Sequence, residues 1–148
     1  MARVAPKGRK HLSADALLAQ VRRSFERIPD HRLSHPEISL PDALMAAFAL
    51  YALKSPSLLA FDHQRTEGNL HTIYRIERVP CDTAMREILD PVAPAALRPV
   101  FRDIFRHLQR GKALEPLQFF EGHYLVALDG TGYFSSKTIH CASCLHKV

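Results

Sequence analysis

Residues 123–136, which read HYLVALDGTGYFSS, restrict the possible fold of this chain more than any other segment. Residues 124–128 form an unbroken apolar run of strand length, and such a run is typical of a strand covered on both faces, as in the centre of an α/β sheet. The glycines and serines that follow favour a strand and a turn over a buried helix. The pattern therefore places Asp129 at the end of a buried strand, where a carboxylate needs a hydrogen bond, an ionic partner or a metal.

The residues around Asp129 fit a structural turn as well as a catalytic site, because Asp-Gly is common in tight turns. Aspartic proteases use Asp-Thr-Gly, whereas the order here is Asp-Gly-Thr-Gly. Phosphatases of the haloacid dehalogenase type use Asp-x-Asp-Gly-Thr, and Ala127 stands where their nucleophile would be. The sequence therefore fits neither of these two enzyme classes. A third class, the RNase H-like nucleases and transposases, places its first metal-binding Asp on the central strand and uses two metal ions for phosphodiester chemistry.

The excess positive charge of the chain lies near its N-terminus. Residues 1–35 hold eight Lys/Arg against three Asp/Glu, whereas residues 36–148 hold twelve of each, so the whole excess of +5 is in the first quarter. Such cations suit DNA phosphates, where each one displaces a condensed counterion, although a solubilising tail would have the same charge. The candidate DNA contacts here are Arg3, Lys7, Arg9 and Lys10, in a basic flexible arm over residues 1–11, and Arg22 and Arg23 beyond it.

Residues 12–112 have the pattern of a helical domain. Ser13 and Ser57 are predicted N-caps, and Ser39 with Asp42 three residues later is similar to a capping box. The helix that follows Ser39 is apolar nearly all round, which predicts that it is the central buried helix.

Two parts of this helical domain could contact DNA. Two short helices joined by residues 77–81 are compatible with a helix-turn-helix, although a plain structural hairpin has the same pattern. Arg75, Arg78 and Arg86 could contact phosphate there. A later helix has a basic ridge that fits either a solvated face or a phosphate-binding surface, and Gly111 fits its C′ position. This ridge comprises Arg98, Arg102, Arg106 and Arg110.

Four long stretches of the chain resemble one protein family. They read SLPDALMAAFALYALKSPSLLAFD, NLHTIYRIERVPCDTAMREILD, LRPVFRDIFRHLQRGK and HYLVALDGTGYFSSKTIHCASC. In them the chain resembles the N-terminal part of bacterial insertion-sequence transposases of the DDE (Asp-Asp-Glu) type, whose catalytic domain has an RNase H-like fold. The resemblance implies a mostly α fold, with a helical DNA-handling domain at residues 12–112. It also implies that residues 113–148 are the truncated first strand or hairpin of the RNase H-like α/β domain.

The resemblance implies a role in DNA transposition, with the DNA of transposon ends as the partner. Asp129 would match the first catalytic Asp of the family, which binds Mg²⁺ or Mn²⁺ in the intact enzymes. It is also the last acidic residue of this sequence, and a lone carboxylate binds Mg²⁺ weakly. We therefore expect a truncated transposase that binds no metal there and is inactive in strand cleavage and transfer by itself. The alternatives are a DNA-binding module that competes with a full-length transposase, and a reading frame that merely folds.

Cys141 and Cys144 form a C-x-x-C motif, which is half of many zinc sites, and His140 and His146 flank it. Four ligands within seven residues would strain a tetrahedral shell, so a complete site would need a second pair from elsewhere. A zinc site and two free thiols both remain open.

Composition limits the remaining classes. The apolar fraction of 47% and the charged fraction of 24% are those of a globular protein. The longest apolar run, residues 43–53, is shorter than a membrane span, and the N-terminus lacks a secretory pattern. Three cysteines do not make a disulfide framework. These features predict a cytoplasmic protein without a membrane partner.

Overall fold

A computed structural model of the chain describes residues 10–32, 36–120 and 122–126. It divides the chain into two compact units between Pro116 and Leu117. The sequence predicts a boundary near residues 112–118, with the helical domain ending at residue 112. The first unit is helical and the second contains a two-stranded antiparallel sheet, so the predicted mostly α fold is confirmed.

The described part of the first unit consists of α-helices and short 3₁₀ turns. The helices are α1 (Ala14–Phe25), α2 (Leu40–Ala52), α3 (Leu58–His63), α4 (Gly68–Thr72), α5 (Asp82–Leu89) and α6 (Arg98–Arg110). The 3₁₀ turns are Lys10–Leu12, Pro94–Leu97 and, at the junction of the two units, Glu115–Leu117. None of the described helices has both the length and the apolar character needed to cross a membrane.

Three helices begin at serines, as predicted. The hydroxyls of Ser13, Ser39 and Ser57 accept hydrogen bonds from the backbone N–H three residues later, at 3.3, 3.2 and 3.1 Å. Each bond satisfies one of the N–H groups that the first helical turn leaves without an intrahelical partner.

Helix α2 lies at the centre of the core, also as predicted. Its buried residues include three alanines, Ala43, Ala46 and Ala49, whose small side chains allow neighbouring helices to approach closely. Helices α1 and α5 pack against α2, and α1 also packs against α6. Outside α2, the core is completed by Val21, Phe25, Phe61, Leu70, Tyr74, Ile76, Met85, Ile88 and Val100.

The predicted helix-turn-helix is wrong. Helix α4 has five residues, and the nine residues 73–81 separate it from α5, whereas the motif has a turn of three or four residues. Helix α4 ends at Thr72, and beyond it Arg75 adopts a left-handed conformation with φ 56° between Tyr74 and Ile76, which are buried in the core.

Gly111 does not occupy the left-handed C′ position that the sequence predicted. Its φ is −74°, and the left-handed residue is the next one, Lys112, with φ 56°. A Cβ at Gly111 would lie 2.6 Å from Cδ1 of Leu12. The glycine is therefore explained by the close packing of the Lys10–Leu12 turn against the end of α6.

The described part of the second unit is a hairpin of β1 (Gln118–Phe120) and β2 (His123–Tyr124), with Gly122 at φ 79° in the turn. Leu125 and Val126 are 77% and 72% exposed and lie outside β2. The predicted burial of the apolar run on both faces is therefore wrong for residues 124–126. A strand is buried on both faces only when further strands lie beside it and helices lie above and below it. The two short strands of this hairpin do not provide such surroundings for the apolar run.

Candidate nucleic-acid interface

The residues proposed from the sequence to contact DNA or metal are only partly described by the structure. Lys10, Arg22, Arg23, Arg75, Arg78 and Arg86 are in the described ranges. Arg3, Lys7, Arg9, Asp129, Cys141 and Cys144 lie outside the described residues.

Arg22 belongs to a polar network inside the helical unit. Its Nη1 donates to Oδ1 of Asp42 at 2.9 Å and to the carbonyl oxygen of Arg75 at 2.7 Å. The second carboxylate oxygen of Asp42 accepts from the backbone N–H of Arg78 at 3.2 Å. The Arg22 side chain is only 18% exposed, and its contact with DNA stays a prediction from the sequence.

The capping-box interpretation therefore missed the role of Asp42. The Asp42 carboxylate reaches away from its own helix, to Arg22 of α1 and to the segment 73–81. Two hydrogen bonds, one of them from the ionic partner Arg22, offset the cost of burying this charge. No local pattern reveals this, because Arg22 is 20 residues from Asp42 and 53 residues from Arg75.

The Arg22–Asp42 pair fixes the backbone that presents two of the predicted DNA contacts. Arg22 holds the carbonyl group of Arg75, and Asp42 holds the N–H group of Arg78. The left-handed conformation of Arg75 costs about 1 kcal/mol, and the bond from Arg22 opposes its relaxation. The exposed Arg78 side chain pairs with Glu37, whereas Arg75 is exposed and forms no ion pair within the described ranges.

Lys10, Arg23 and Arg86 are exposed on three different elements, and no hydrogen bond or ion pair of the described chain joins any two of them. Lys10 is in the first 3₁₀ turn, Arg23 is on α1, and Arg86 is on α5. Arg23 donates to Oε1 of Gln20 at 2.9 Å, and Arg86 lines a cleft that also contains Asp90.

Helix α6 presents the most extensive run of exposed cations in the described part of the chain. Arg98, Arg102, Arg106 and Arg110 are all exposed, and none of them pairs with a carboxylate in that part. The one carboxylate of α6, Asp103, is bound by Arg27, which follows the C-terminal end of α1. These four arginines, which we call the α6 ridge, were recognised in the sequence by their spacing, but the sequence did not distinguish a solvated face from a binding surface.

The N-terminal 3₁₀ turn brings Lys10 to the C-terminal half of α6. Nε2 of His107 donates to the carbonyl oxygen of His11 at 2.8 Å, and the two imidazole rings make an edge contact at 5.6 Å. Leu12 packs at Gly111. The turn that continues the predicted basic arm is therefore attached to the helix that has the α6 ridge.

Within the residues that the structure describes, no group of three or more His, Cys, Asp or Glu side chains is arranged to hold a metal ion. Asp129 and the two C-terminal cysteines are not among those residues, so the Mg²⁺, Mn²⁺ and Zn²⁺ assignments stay predictions from the sequence.

Comparison of the chain with models of known protein families, with curated proteins and with solved structures gives no significant match. The resemblance to DDE-type transposases therefore stays a prediction from the residues quoted above.

Proposed function

We propose that the helical unit binds the phosphate backbone of double-stranded DNA, and that the chain is the N-terminal, DNA-handling part of a DDE-type transposase. The observation that supports DNA binding is the α6 ridge: four exposed arginines on one helix, with the neighbouring Asp103 already bound by Arg27. Lys10 near the end of α6 and Arg75, which forms no ion pair within the described ranges, add cations to the same unit.

The spacing of the α6 ridge suits a phosphate backbone. Its four arginines extend over twelve residue steps, which is about 18 Å along a helix axis. A guanidinium group can bind two oxygens of one phosphate, so Arg is well suited to this contact. Phosphate contacts fix the position of a protein on DNA but do not read the sequence. We therefore expect binding that tolerates different DNA sequences and weakens with salt.

Strand cleavage and transfer would be carried out by the intact transposases of the family that the chain resembles. Asp129 would be the first catalytic carboxylate and would contribute to holding Mg²⁺ or Mn²⁺, which activates the attacking oxygen in that family. Of the three family carboxylates, the resemblance assigns one, Asp129, within these 148 residues. We therefore propose that these residues act through DNA binding, as the DNA-handling part of a transposase or as a competitor of a full-length transposase, in the cytoplasm.

Fluorescence anisotropy with labelled double-stranded DNA tests the binding proposal. The variant Arg102→Gln/Arg106→Gln removes two charges from the α6 ridge, and Lys54→Gln/Arg65→Gln removes two exposed charges elsewhere on the helical unit. We expect the ridge variant to lower the slope of log K against log[salt] by about 2, because each phosphate contact contributes about 0.9. The control variant should change this slope by much less. Equal losses in the two variants, or no DNA binding by the parent chain, would contradict the proposal.

A nicking and strand-transfer assay with Mg²⁺ or Mn²⁺ tests the catalytic part. The expected result is no activity with the parent chain and none with Asp129→Ala. Activity in the parent chain that Asp129→Ala abolishes would show that one family carboxylate is sufficient, and it would overturn the assignment as a non-catalytic fragment.

A further inference from the structure

Helices α1, α2 and α6 enclose an apolar groove of about 590 Å³ on the surface of the helical unit. Its floor is formed by core residues, including Val21, Phe25 and Val100. We call this surface the α1/α2/α6 groove. Because its floor belongs to the packed core, the groove exists before any partner arrives.

The walls of the groove expose large aromatic side chains. Tyr51, Phe101 and Phe105 are 80%, 74% and 51% exposed. Aromatic side chains provide much of the binding energy of protein interfaces, and contiguous apolar patches on monomers commonly mark interaction sites. Their high exposure distinguishes this groove from a closed small-molecule pocket, which buries most of its ligand.

The α6 wall of the groove is bordered by positive charge. Arg98 precedes Phe101 by three residues and Arg102 precedes Phe105 by three, so each pair is adjacent on the helix surface. On the three helices of the groove, Asp42 is bound by Arg22 and Asp103 by Arg27, so the exposed carboxylate without an ion pair among the described residues is Asp15 of α1, one negative charge against the two positive charges.

We infer that the α1/α2/α6 groove binds an amphipathic helix of a partner protein, with apolar residues at i, i+3 or i+4, and i+7, and with carboxylates along the flank that faces Arg98 and Arg102. Helix-in-groove recognition uses apolar anchors at this spacing, and complementary charge sets partner choice and association rate. The inference goes beyond DNA binding, because the side chains that line the groove are apolar apart from the hydroxyl of Tyr51 and include no cation for a phosphate backbone, although Arg98 and Arg102 at its border also belong to the α6 ridge.

A second copy of the chain is a poorer occupant on grounds of charge. A two-fold interface places the same surface patch on both subunits. Two grooves facing each other would place Arg98 and Arg102 of both copies beside one interface, where the groove helices of each copy offer one exposed carboxylate without an ion pair among the described residues, Asp15, against two arginines. An acidic partner removes this repulsion and gains ion pairs.

Two synthetic peptides test the inference by fluorescence anisotropy with the full chain. Both are amphipathic helices of about four turns with Leu and Phe at the anchor positions, and they differ only in having Glu or Lys along one flank. We expect the Glu peptide to bind about tenfold tighter than the Lys peptide at low salt, with the difference shrinking as salt screens the rim charges.

Three variants separate the apolar contribution of Phe101 and Phe105 to peptide binding from the charge contribution of Arg98 and Arg102. Phe101→Ser/Phe105→Ser should abolish binding of both peptides, whereas Leu59→Ser, an exposed apolar position on α3 outside the groove, should leave it unchanged. Arg98→Gln/Arg102→Gln should remove the preference for Glu over Lys and retain weak binding. Thermal unfolding by circular dichroism checks that each variant is folded, since all five substituted side chains are exposed.

Four results would overturn the inference. In the peptide assay, they are the absence of Glu-peptide binding and equal affinity for the two peptides. In sedimentation experiments, the contradicting result is a dimer of the parent chain that dissociates in the Phe101→Ser/Phe105→Ser variant. The fourth is binding to anionic phosphatidylglycerol vesicles that requires Phe101. The test is independent of the DNA proposal, because Phe101→Ser/Phe105→Ser should retain the DNA affinity and salt slope of the parent chain.

Discussion

At Asp42, a carboxylate that is only 2% exposed is held by the guanidinium group of Arg22 and the backbone N–H of Arg78. Removing one partner of a buried ion pair leaves an uncompensated charge in the interior. We therefore predict that Arg22→Met lowers the free energy of unfolding by about 3–5 kcal/mol, measured by urea denaturation with circular dichroism.

The double variant Arg22→Met/Asp42→Leu should recover a large part of this loss, because it replaces both charges with apolar groups. Arg23→Met is the matched control, since Arg23 is exposed and is the next residue of the same helix. It should change the free energy of unfolding by less than about 0.5 kcal/mol. A double variant that is no more stable than Arg22→Met would contradict the ion-pair explanation.

Asp30 should make stability depend on pH in acid. Hydrogen bonds from the Arg32 side chain lower the pKa of Asp30 from 3.8 to about 2, and its two oxygens lie 2.9 and 2.7 Å from Nε and Nη2 of Arg32. Because the folded pKa is below the unfolded one, the stabilisation is present above pH 3.8 and is lost as the pH falls towards about 2.

We therefore predict that Asp30→Asn costs less than about 1 kcal/mol at neutral pH, because the pair is partly exposed. The difference between the urea midpoints of this variant and the parent should shrink as the pH falls from about 4 to about 2. A difference that grows on acidification would rule out this interpretation.

At the scale of a single element, the end of α6 gives a test of backbone conformation. Lys112 has φ 56°, a region that costs a residue with a Cβ about 1 kcal/mol and costs glycine almost nothing. Lys112→Gly is therefore predicted to be more stable than Lys112→Ala by about 1 kcal/mol in chemical denaturation. Both variants lose the exposed ion pair with Glu115, so the comparison isolates the backbone. Equal stability of the two variants would mean that the left-handed conformation is not a significant cost.

The elements themselves were predictable where the signal is local. A serine hydroxyl caps the first turn of its own helix. The starts of three helices were therefore predicted correctly from Ser13, Ser39 and Ser57. The α6 ridge was visible for the same reason, since a spacing of four residues places side chains on one helix face. The helix-turn-helix was not a sound prediction, because the burial of Tyr74 and Ile76 depends on the rest of the core.

What the sequence did not reveal depends on residues far apart in the chain. Arg22, a predicted DNA contact, binds Asp42 and the carbonyl group of Arg75, and these bonds orient the segment that presents two other predicted contacts. The contact between Leu12 and Gly111 explained a glycine that local rules had assigned to a left-handed cap. In each case the local pattern was compatible with several tertiary environments.

At the scale of the whole molecule, the chain consists of a helical unit with a buried core and a second unit whose described hairpin is largely exposed. Phe61 is 1% exposed in the first unit, whereas Phe119 is 77% exposed in the second. The same substitution at these two positions should therefore have very different effects, although both remove the same atoms.

We predict that Phe61→Ala lowers the free energy of unfolding by about 3–5 kcal/mol, since it leaves a cavity in the core as well as losing buried apolar surface. Phe119→Ala should change it by less than about 0.5 kcal/mol, because the side chain is already in water. Far-UV circular dichroism during urea denaturation reports mainly on the helices and so on the first unit. If Phe119→Ala shifted that transition as much as Phe61→Ala, the helical unit would depend on the hairpin for its stability, and two separately packed units would be the wrong description of this chain.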